Sequence, residues 1–317
     1  MTAVAVAAFV ATALGTALFR RLAIARGWVA EANERSSHRG AVPVGAGLVV
    51  LTVSMIAAWP VPALGAGYLA GALLLGVVSW LDDLYAVPVA VRLVVQVLAA
   101  GALLSLGSDF SMSLSTALLV VWIVGSINAF NFMDGIDGMA GLQAVVAGVS
   151  WYLLGSRFAM SGVAQLGLIL AAASGGFLLH NLSLGGRATA RVFLGDVGSV
   201  FLGYSFAALT VTASVQNPGG PIFITGALFS WPLLFDTGFT LLRRLRRGEP
   251  LTQAHREHLY QRLVQGGLSH LHVSLAYAGL SMMGAVAGML LLFQSPLFVA
   301  VALLSVVSSA FLLWSWV

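Results

Sequence analysis

Two residue types that many enzymes depend on are missing from this chain of 317 residues. It has no cysteine and no lysine, so all fifteen basic residues are arginine. Without cysteine there are no disulfides, thiolate nucleophiles or Cys-ligated metals. Without lysine there is no Walker-A phosphate loop and no Schiff-base chemistry. What remains for chemistry are carboxylates, amides, histidines and arginines.

Charge of either sign is also scarce. Only 8% of the residues are charged and 59% are hydrophobic, whereas a soluble domain carries about a quarter charged residues. Apolar runs of about 17 to 25 residues recur along the chain, each long enough to cross a bilayer as a helix. The first run lacks a basic leader and a cleavage site, so it is expected to be retained. This composition predicts an all-α polytopic integral membrane protein with one transmembrane domain over residues 1–317.

Counting the apolar runs between breaks predicts about eleven transmembrane helices, although an even count of ten stays open. The predicted segments are 2–19, 45–60, 64–81, 91–107, 114–130, 139–154, 161–180, 198–214, 220–241, 271–293 and 297–316.

Arginine positions predict the orientation of these segments. If the N-terminus lies outside, one membrane face receives fourteen of the fifteen arginines and only Arg157 lies opposite. The positive-inside rule makes the arginine-rich face cytoplasmic. The net charge of +4 is therefore a topology signal, and no nucleic-acid partner is expected. The cytoplasmic loops are then about 20–44, 82–90, 131–138, 181–197 and 243–270.

Six aspartates lie at or near the cytoplasmic ends of the apolar segments: Asp82, Asp83, Asp134, Asp137, Asp196 and Asp236. A charge inside a membrane helix costs about 2.5 to 3.5 kcal/mol on insertion scales, so such groups normally face a cavity and a partner. Oxygen ligands suit hard cations, and Mg²⁺ commonly bridges a few carboxylates and substrate phosphates. Together the six favour a metal and polyanion site.

Simpler roles are open for each aspartate. Asp82 and Asp83 could cap the helix that begins near Pro88, and the two Asp-Gly steps at 134–138 could form a turn. Asp196 could be the N-cap of the next helix. Asp236 could pair with Arg243 or Arg244. The glycines of "DGIDG" and "GDVGS" would let backbone N–H groups approach a ligand closely.

The basic loop 243–270 carries the complementary charge. His255 and His258 are three residues apart, which would place both on one helical face. No third ligand stands at a spacing typical of zinc sites, so the pair fits contact with a diphosphate better. Arg246 and Arg247 fit a membrane-anchoring role.

At this point the pattern resembles the polyprenyl-phosphate N-acetylhexosamine-1-phosphate transferases, glycosyltransferase family 4. The resemblance covers roughly residues 33–270 and rests on five motifs in family order. The last of them is closer to the O-antigen-initiating branch than to the MurNAc-pentapeptide translocase. The motifs are "SSH…P…G.G", "LDDLY", "NAFNFMDGIDGMAG", "VFLGDVGSVFLG" and "LFDT…LLRRLRRGEPLTQAHREHLYQRL".

The resemblance implies a reaction at a bacterial cytoplasmic (inner) membrane, with the active site facing the cytoplasm. Undecaprenyl phosphate, or another polyprenyl phosphate, would attack the β-phosphorus of a UDP-N-acetyl-amino sugar and release UMP. It implies Mg²⁺, or Mn²⁺, bound by Asp196, Asp83 and Asn131. Catalysis would involve Asp82, Asp83 and Asp137, with Asp82 as the candidate base. The substrate contacts that it implies are Asn128, Asn131, Asp134, Asn181, Arg92, Arg243, His255, His258 and His38.

The chain departs from the family pattern in two loops. In "SSHRGAVPVGAG" it has Ala41, Val44 and Ala46 where a proline, an arginine and a glycine are common, which puts the role of that loop in doubt. Between Asn181 and Val192 the chain is longer than usual and lacks an expected Pro-Ala.

Three other readings compete with the transferase. The nearest is phospho-MurNAc-pentapeptide transfer within the same family. A carboxylate-lined, cation-coupled transporter is disfavoured because its ionisable groups should lie near the bilayer midplane. An inactive scaffold is disfavoured by the presence of all six aspartates. The sugar is not determined by the sequence, and a homodimer is open.

Overall fold

The computed structural model describes residues 1–30, 41–61, 65–105, 113–183, 190–250, 253, 255–293 and 295–315, and these are mostly helical. Thirteen α-helices follow one another along this part of the chain: α1 Thr2–Arg26, α2 Gly47–Ala58, α3 Gly65–Tyr85, α4 Val89–Ser105, α5 Leu114–Met133, α6 Met139–Arg157, α7 Ser161–Asn181, α8 Asp196–Gln216, α9 Ile222–Leu228, α10 Trp231–Arg246, α11 Leu259–Gln265, α12 His270–Leu291 and α13 Pro296–Ser315. Two short strands, β1 Val29–Ala30 and β2 Val42–Pro43, pair antiparallel.

Each of the eleven predicted apolar segments coincides with a helix or a pair of helices, which confirms the all-α polytopic membrane fold. Among the described residues, eight helices are long and apolar enough to cross a membrane, or nine if α9 and α10 form one span. α2 and α4 are apolar but shorter, with 12 and 17 residues. The additional helix, α11, lies in the polar loop 243–270.

The prediction of one continuous helix over 220–241 is wrong. The chain bends by 79° between α9 and α10. Pro232 lies in the first turn of α10, where proline is tolerated because the first backbone N–H groups of a helix have no partner within that helix. The bend directs α10 away from the axis of α9.

Helix α8 runs through the centre of the bundle and is the most buried of the long helices. It packs closely against α5, because Gly203 lies against the backbone of Ser126 and Ile127. Small residues allow this kind of close approach between membrane helices. Asp196 is the first residue of α8, so the rigid centre of the fold positions it.

Candidate active site

Four helix ends meet at one end of the bundle, which we call the carboxylate end. It is formed by the C-termini of α3 and α5 and by the N-termini of α4 and α8. Asn131 of α5 donates from Nδ2 to Asp196 Oδ2 at 3.2 Å. The backbone N–H of Asp196 donates to Asp83 Oδ1 of α3 at 3.2 Å. Three residues that the sequence predicted as metal ligands therefore lie together.

Arg92 of α4 joins the other predicted residue of α3 to this group. Its Nη1 lies 2.6 Å from Asp82 Oδ2 and 3.5 Å from Asp196 Oδ2. The second oxygen of Asp82 accepts from the backbone N–H of Val87 at 2.6 Å. Asp82 therefore stabilises the turn before α4, which agrees with its predicted capping role, and it also orients Arg92.

The expectation that Asp196 is the N-cap of α8 is wrong by one residue. The N-cap is Gly195, with φ +76°, a left-handed backbone conformation that glycine adopts readily. A Cβ atom at Gly195 would lie 2.9 Å from Asp83 Oδ2. Asp83 therefore accepts the hydrogen bond at the helix N-terminus, and the carboxylate of Asp196 stays available.

The loop whose role the sequence left in doubt supports this turn through its backbone. Phe193 N donates to Pro43 O at 2.8 Å, Ala46 N to Phe193 O at 3.1 Å, and Gly47 N to Leu194 O at 2.7 Å. These bonds need no particular side chain, so the departures from the family pattern at 41, 44 and 46 do not disturb them. His38 lies outside the described residues.

The turn 134–138 brings a further carboxylate to the carboxylate end, and its position after α5 confirms that "DGIDG" forms a turn. Withdrawal from water, followed by the nearby carboxylates of Asp196, Asp83 and Asp137, raises the pKa of Asp134 well above its ordinary value of 3.8. A Cβ atom at Gly135 would meet the Tyr260 hydroxyl, so glycine allows this close contact within the protein. The same hydroxyl donates to Phe132 O at 3.0 Å.

Asp137 and Asn181 are occupied by contacts within the protein. Asp137 is 2% exposed, and its Oδ2 accepts from Ser183 Oγ and from Ala190 N, the latter at 2.8 Å. Asn181 accepts from Gly138 N at 2.8 Å and donates to Val192 O at 3.0 Å. Both side chains therefore tie the turn 134–138 to the segment before α8.

Asp236 is not part of the carboxylate end, and the expected ion pair with Arg243 or Arg244 does not form. Those two arginines, with Arg247, contact Glu257 instead. Arg243 Nη2 also donates to the backbone oxygen of Glu257 at 2.5 Å. The predicted substrate contact Arg243 thus holds the loop before α11. Asp236 is fully buried and contacts His258.

His255 and His258 lie close together, with ring centroids 5.0 Å apart, but not on a helical face as the spacing predicted. His258 is the N-cap of α11, with φ −59° and ψ 146°. An N-cap residue has a non-helical backbone, so the helix begins only after it. Partial burial, followed by His258 and Arg244, lowers the pKa of His255 below its ordinary value of 6.5.

A cavity of about 780 Å³ begins at these residues and extends between α3, α4, α5 and α10. Arg92, Asn131 and Asp196 place its polar end at the carboxylate end, and Leu75, Val121 and Trp122 lie further along their helices at its apolar end. The polar residues are Ser79, Arg92, Gln96, Ser126, Asn128, Asn131, Asp196, Thr237, Gln253, His255, His258 and Gln261. The apolar residues include Leu75, Val78, Leu93, Val95, Val121, Trp122, Val200, Leu234 and Leu241.

Polar residues of this cavity that were not predicted from the sequence include Gln253, Gln261 and Gln96. Gln96 is 5% exposed and its Oε1 accepts from Asn128 Nδ2 at 2.7 Å. It lies four residues after Arg92, on the same face of α4. This spacing from an arginine in an apolar helix could have identified it.

The carboxylate end fits a divalent cation. Asp83 Oδ2 is buried without a hydrogen-bond partner, and four carboxylates there (Asp82, Asp83, Asp134 and Asp196) are opposed by Arg92. No ready-made group of three or more His, Asp or Glu ligands occurs in the described part of the chain. Mg²⁺ often needs only one or two carboxylates, because waters and substrate phosphates complete its shell.

The fold and the site thus define an integral membrane protein whose carboxylate cluster opens into an apolar cavity. Residues 66–214 match the family model described as glycosyl transferase family 4. A probable undecaprenyl-phosphate N-acetylglucosaminyl 1-phosphate transferase of Bacillus subtilis (strain 168) is 31% identical over 284 residues, covering 80% of this chain and 75% of the relative. An undecaprenyl-phosphate alpha-N-acetylglucosaminyl 1-phosphate transferase of Yersinia pestis is 31% identical over 323 residues, covering 94% and 86%.

A decaprenyl-phosphate N-acetylglucosaminephosphotransferase of Mycobacterium tuberculosis (strain CDC 1551 / Oshkosh) is 29% identical over 320 residues, covering 86% of this chain and 78% of the relative. The chain belongs to the polyprenyl-phosphate N-acetylglucosamine-1-phosphate transferase family. The resemblance seen in the sequence motifs is thereby confirmed, and the protein is an enzyme of the transferase class.

Proposed function

We propose that this enzyme transfers a sugar-1-phosphate from a UDP-N-acetyl-amino sugar to undecaprenyl phosphate at the cytoplasmic face of a bacterial membrane. The names of the relatives make UDP-N-acetylglucosamine the first donor to test. The products would be UMP and a polyprenyl-diphospho-sugar, which would start an O-antigen or a related surface glycan.

One observation carries this proposal. A single cavity has a polar end suited to phosphates and an apolar end suited to a hydrocarbon chain. A polyprenyl phosphate needs both, because its hydrocarbon chain requires apolar surroundings while its phosphate must reach polar groups. The apolar residues of α3, α4, α5 and α10 would hold the first isoprene units next to the reacting phosphate.

In the transfer, a phosphate oxygen of the lipid forms a bond to the β-phosphorus. The bond from that phosphorus to the bridging oxygen breaks, and UMP leaves with this oxygen and the electron pair. Such reactions depend mainly on positioning and on compensating charge. A phosphate monoester has its second pKa near 6, so the attacking oxygen is largely ionised already. A dedicated base is therefore not essential.

Side chains at the carboxylate end and in the cavity would bind the phosphates and the metal. Arg92, held by Asp82 and Asp196, binds phosphate oxygens, and Asp82 orients it rather than removing a proton. Asp83, Asp196 and Asn131 would hold Mg²⁺, which when bound compensates the negative charge of the diphosphate. Gln96 and Asn128 offer hydrogen bonds one helical turn deeper in the cavity.

The histidines line the opposite side of the polar end. His255 accepts the backbone N–H of Glu257 at its Nδ1, which leaves Nε2 to carry the proton of the neutral ring. The lowered pKa of His255 is consistent with this neutral form. His255 would therefore donate to an oxygen of the nucleotide sugar. Asp137, Asn181 and Arg243 would position loops instead of contacting substrate.

The test is UMP release by the purified protein with undecaprenyl phosphate, Mg²⁺ and a panel of nucleotide sugars. The panel contains UDP-N-acetylglucosamine, other UDP-N-acetyl-amino sugars and UDP-MurNAc-pentapeptide. Release should require lipid and divalent metal and should be lost with EDTA and in Asp196→Asn. Arg157→Gln, a charge change in the last turn of α6, is the matched control and should keep activity. Folded protein that releases no UMP with any donor would refute the proposal.

A further inference from the structure

Asp236 lies outside the carboxylate end and is fully buried. Its carboxylate accepts five hydrogen bonds. Oδ1 receives Leu259 N at 2.9 Å, His258 Nδ1 at 3.1 Å and Thr240 Oγ1 at 3.2 Å. Oδ2 receives Tyr277 Oη at 2.7 Å and Tyr260 N at 3.1 Å. A buried carboxylate with this many donors is well compensated.

These donors come from three separate parts of the chain. Thr240 belongs to α10, Tyr277 belongs to α12, and three consecutive residues, 258–260, form the start of α11. Asp236 therefore fixes the N-terminus of α11 against the core of the bundle. Because His258 is the N-cap residue, its ring position follows directly from this attachment.

The attachment also selects which ring nitrogen faces the cavity. The other four partners of Asp236 all donate to it, so His258 Nδ1 must donate as well. In the neutral ring the proton then lies on Nδ1, and Nε2 on the far edge is the nitrogen that accepts. His258 lines the cavity while its side chain is only 4% exposed, so Nε2 is the nitrogen that a bound substrate can reach.

We propose that Asp236 is a positioning residue that holds His258 with Nε2 directed at the substrate. The inference rests on the proposed transferase function and deepens it. An aspartate that holds the Nδ1–H of a histidine fixes both the tautomer and the orientation of the ring. The carboxylate never touches substrate itself.

The decisive variant is His258→Asn. The asparagine amide can donate to Asp236 as Nδ1 does, but it has no atom at the position of Nε2. We expect its thermal midpoint to remain close to that of the wild type while kcat for UMP release falls by about 10-fold or more, because a hydrogen bond to the substrate is lost. If His258→Asn retained kcat, the role of His258 would be only to donate to Asp236, and the proposal would be wrong.

A double-mutant cycle tests whether Asp236 acts through His258. Asp236→Asn should lower kcat by roughly 10- to 100-fold in the wild-type background, the usual range for a residue that orients a functional group. In the His258→Asn background it should change kcat by less than about 3-fold. An equal loss in both backgrounds would show that Asp236 acts on the fold alone. If Asp236→Asn does not fold, the His258→Asn result still decides the question.

Tyr277→Phe is the matched control. It removes a donor to the same carboxylate but leaves His258 untouched, so we expect a lower thermal midpoint with kcat within about 3-fold of the wild type. A kcat loss as large as that of Asp236→Asn would overturn the proposal. Wild-type UMP release, measured alongside, reports on the transferase function separately, so failure of that function cannot be confused with failure of the inference.

Discussion

Replacing Asn181 tests whether its side chain contacts substrate or stabilises the fold through hydrogen bonds. The family resemblance implies that Asn181 touches substrate, whereas the structure gives its amide two backbone partners and only 5% exposure. Asn181→Ala would leave Gly138 N and Val192 O buried without their partners. Each unsatisfied buried backbone group costs about 1 to 3 kcal/mol, so the folded state should lose about 2 to 6 kcal/mol.

The assay has two readouts. Thermal unfolding in detergent, followed by tryptophan fluorescence, should show a midpoint lowered by about 5 to 15 °C for a loss of this size. The KM values for lipid and nucleotide sugar, measured on protein that remains folded, should be unchanged. Asn217→Ala, at the C-terminus of α8, controls for loss of an asparagine elsewhere. A wild-type midpoint combined with a raised KM would refute the structural reading of Asn181.

Three further predictions concern the cavity and its rim. Gln96→Glu places a negative charge beside the proposed lipid phosphate. The KM for undecaprenyl phosphate should therefore rise about 10-fold or more in steady-state kinetics, while the KM for the nucleotide sugar changes little. Equal changes in the two KM values would contradict this prediction. Gly135→Ala should lower activity because its methyl group meets the Tyr260 hydroxyl, and Tyr260→Phe in the same chain should restore part of it; absence of rescue would argue against this contact. Because the pKa of His255 is lowered in the folded state, the stability that it contributes is present above its unfolded pKa and declines as the pH falls. Thermal midpoints measured from about pH 7.5 to about pH 5.5 should therefore fall less in His255→Gln than in the wild type.

The positions of the long helices could be predicted because they depend on local composition. The segment predicted at 114–130 corresponds to α5, Leu114–Met133, and the segment at 161–180 to α7, Ser161–Asn181. The break between α9 and α10 was missed although Pro232 marks it, because the apolar run continues on both sides. Apolarity indicates that a segment enters the membrane, but it does not indicate its direction.

The candidate site, too, could be predicted from the sequence only in part. The grouping of Asp83, Asn131 and Asp196 could be predicted, because each lies at the predicted cytoplasmic end of an apolar run. The partners of Asp236 could not, since His258 and Tyr277 lie 22 and 41 residues further along the chain. The histidine spacing was misinterpreted for a related reason: the attachment to Asp236 makes His258 the start of a helix instead of a residue within one.

The surplus of negative charge at the carboxylate end leads to a prediction about metal that needs no turnover. A cation that binds only the folded state stabilises it by about 2.7 kcal/mol at one hundred times its dissociation constant. Mg²⁺ or Mn²⁺ should therefore raise the thermal midpoint of the wild type in the absence of substrate, and EDTA should reverse the effect.

Asp83→Asn tests whether the carboxylates cause this metal-dependent stabilisation. The amide oxygen can still accept the N–H of Asp196, but the variant removes one of the crowded carboxylates and the buried Oδ2 that has no partner. Without metal its midpoint should equal or exceed that of the wild type, because repulsion with Asp134 and Asp196 is relieved. With metal it should gain much less. If the wild type showed no metal-dependent shift, or if Asp83→Asn gained as much as the wild type, these carboxylates would not form a cation site, and Arg92 would be left to compensate the charge at this end.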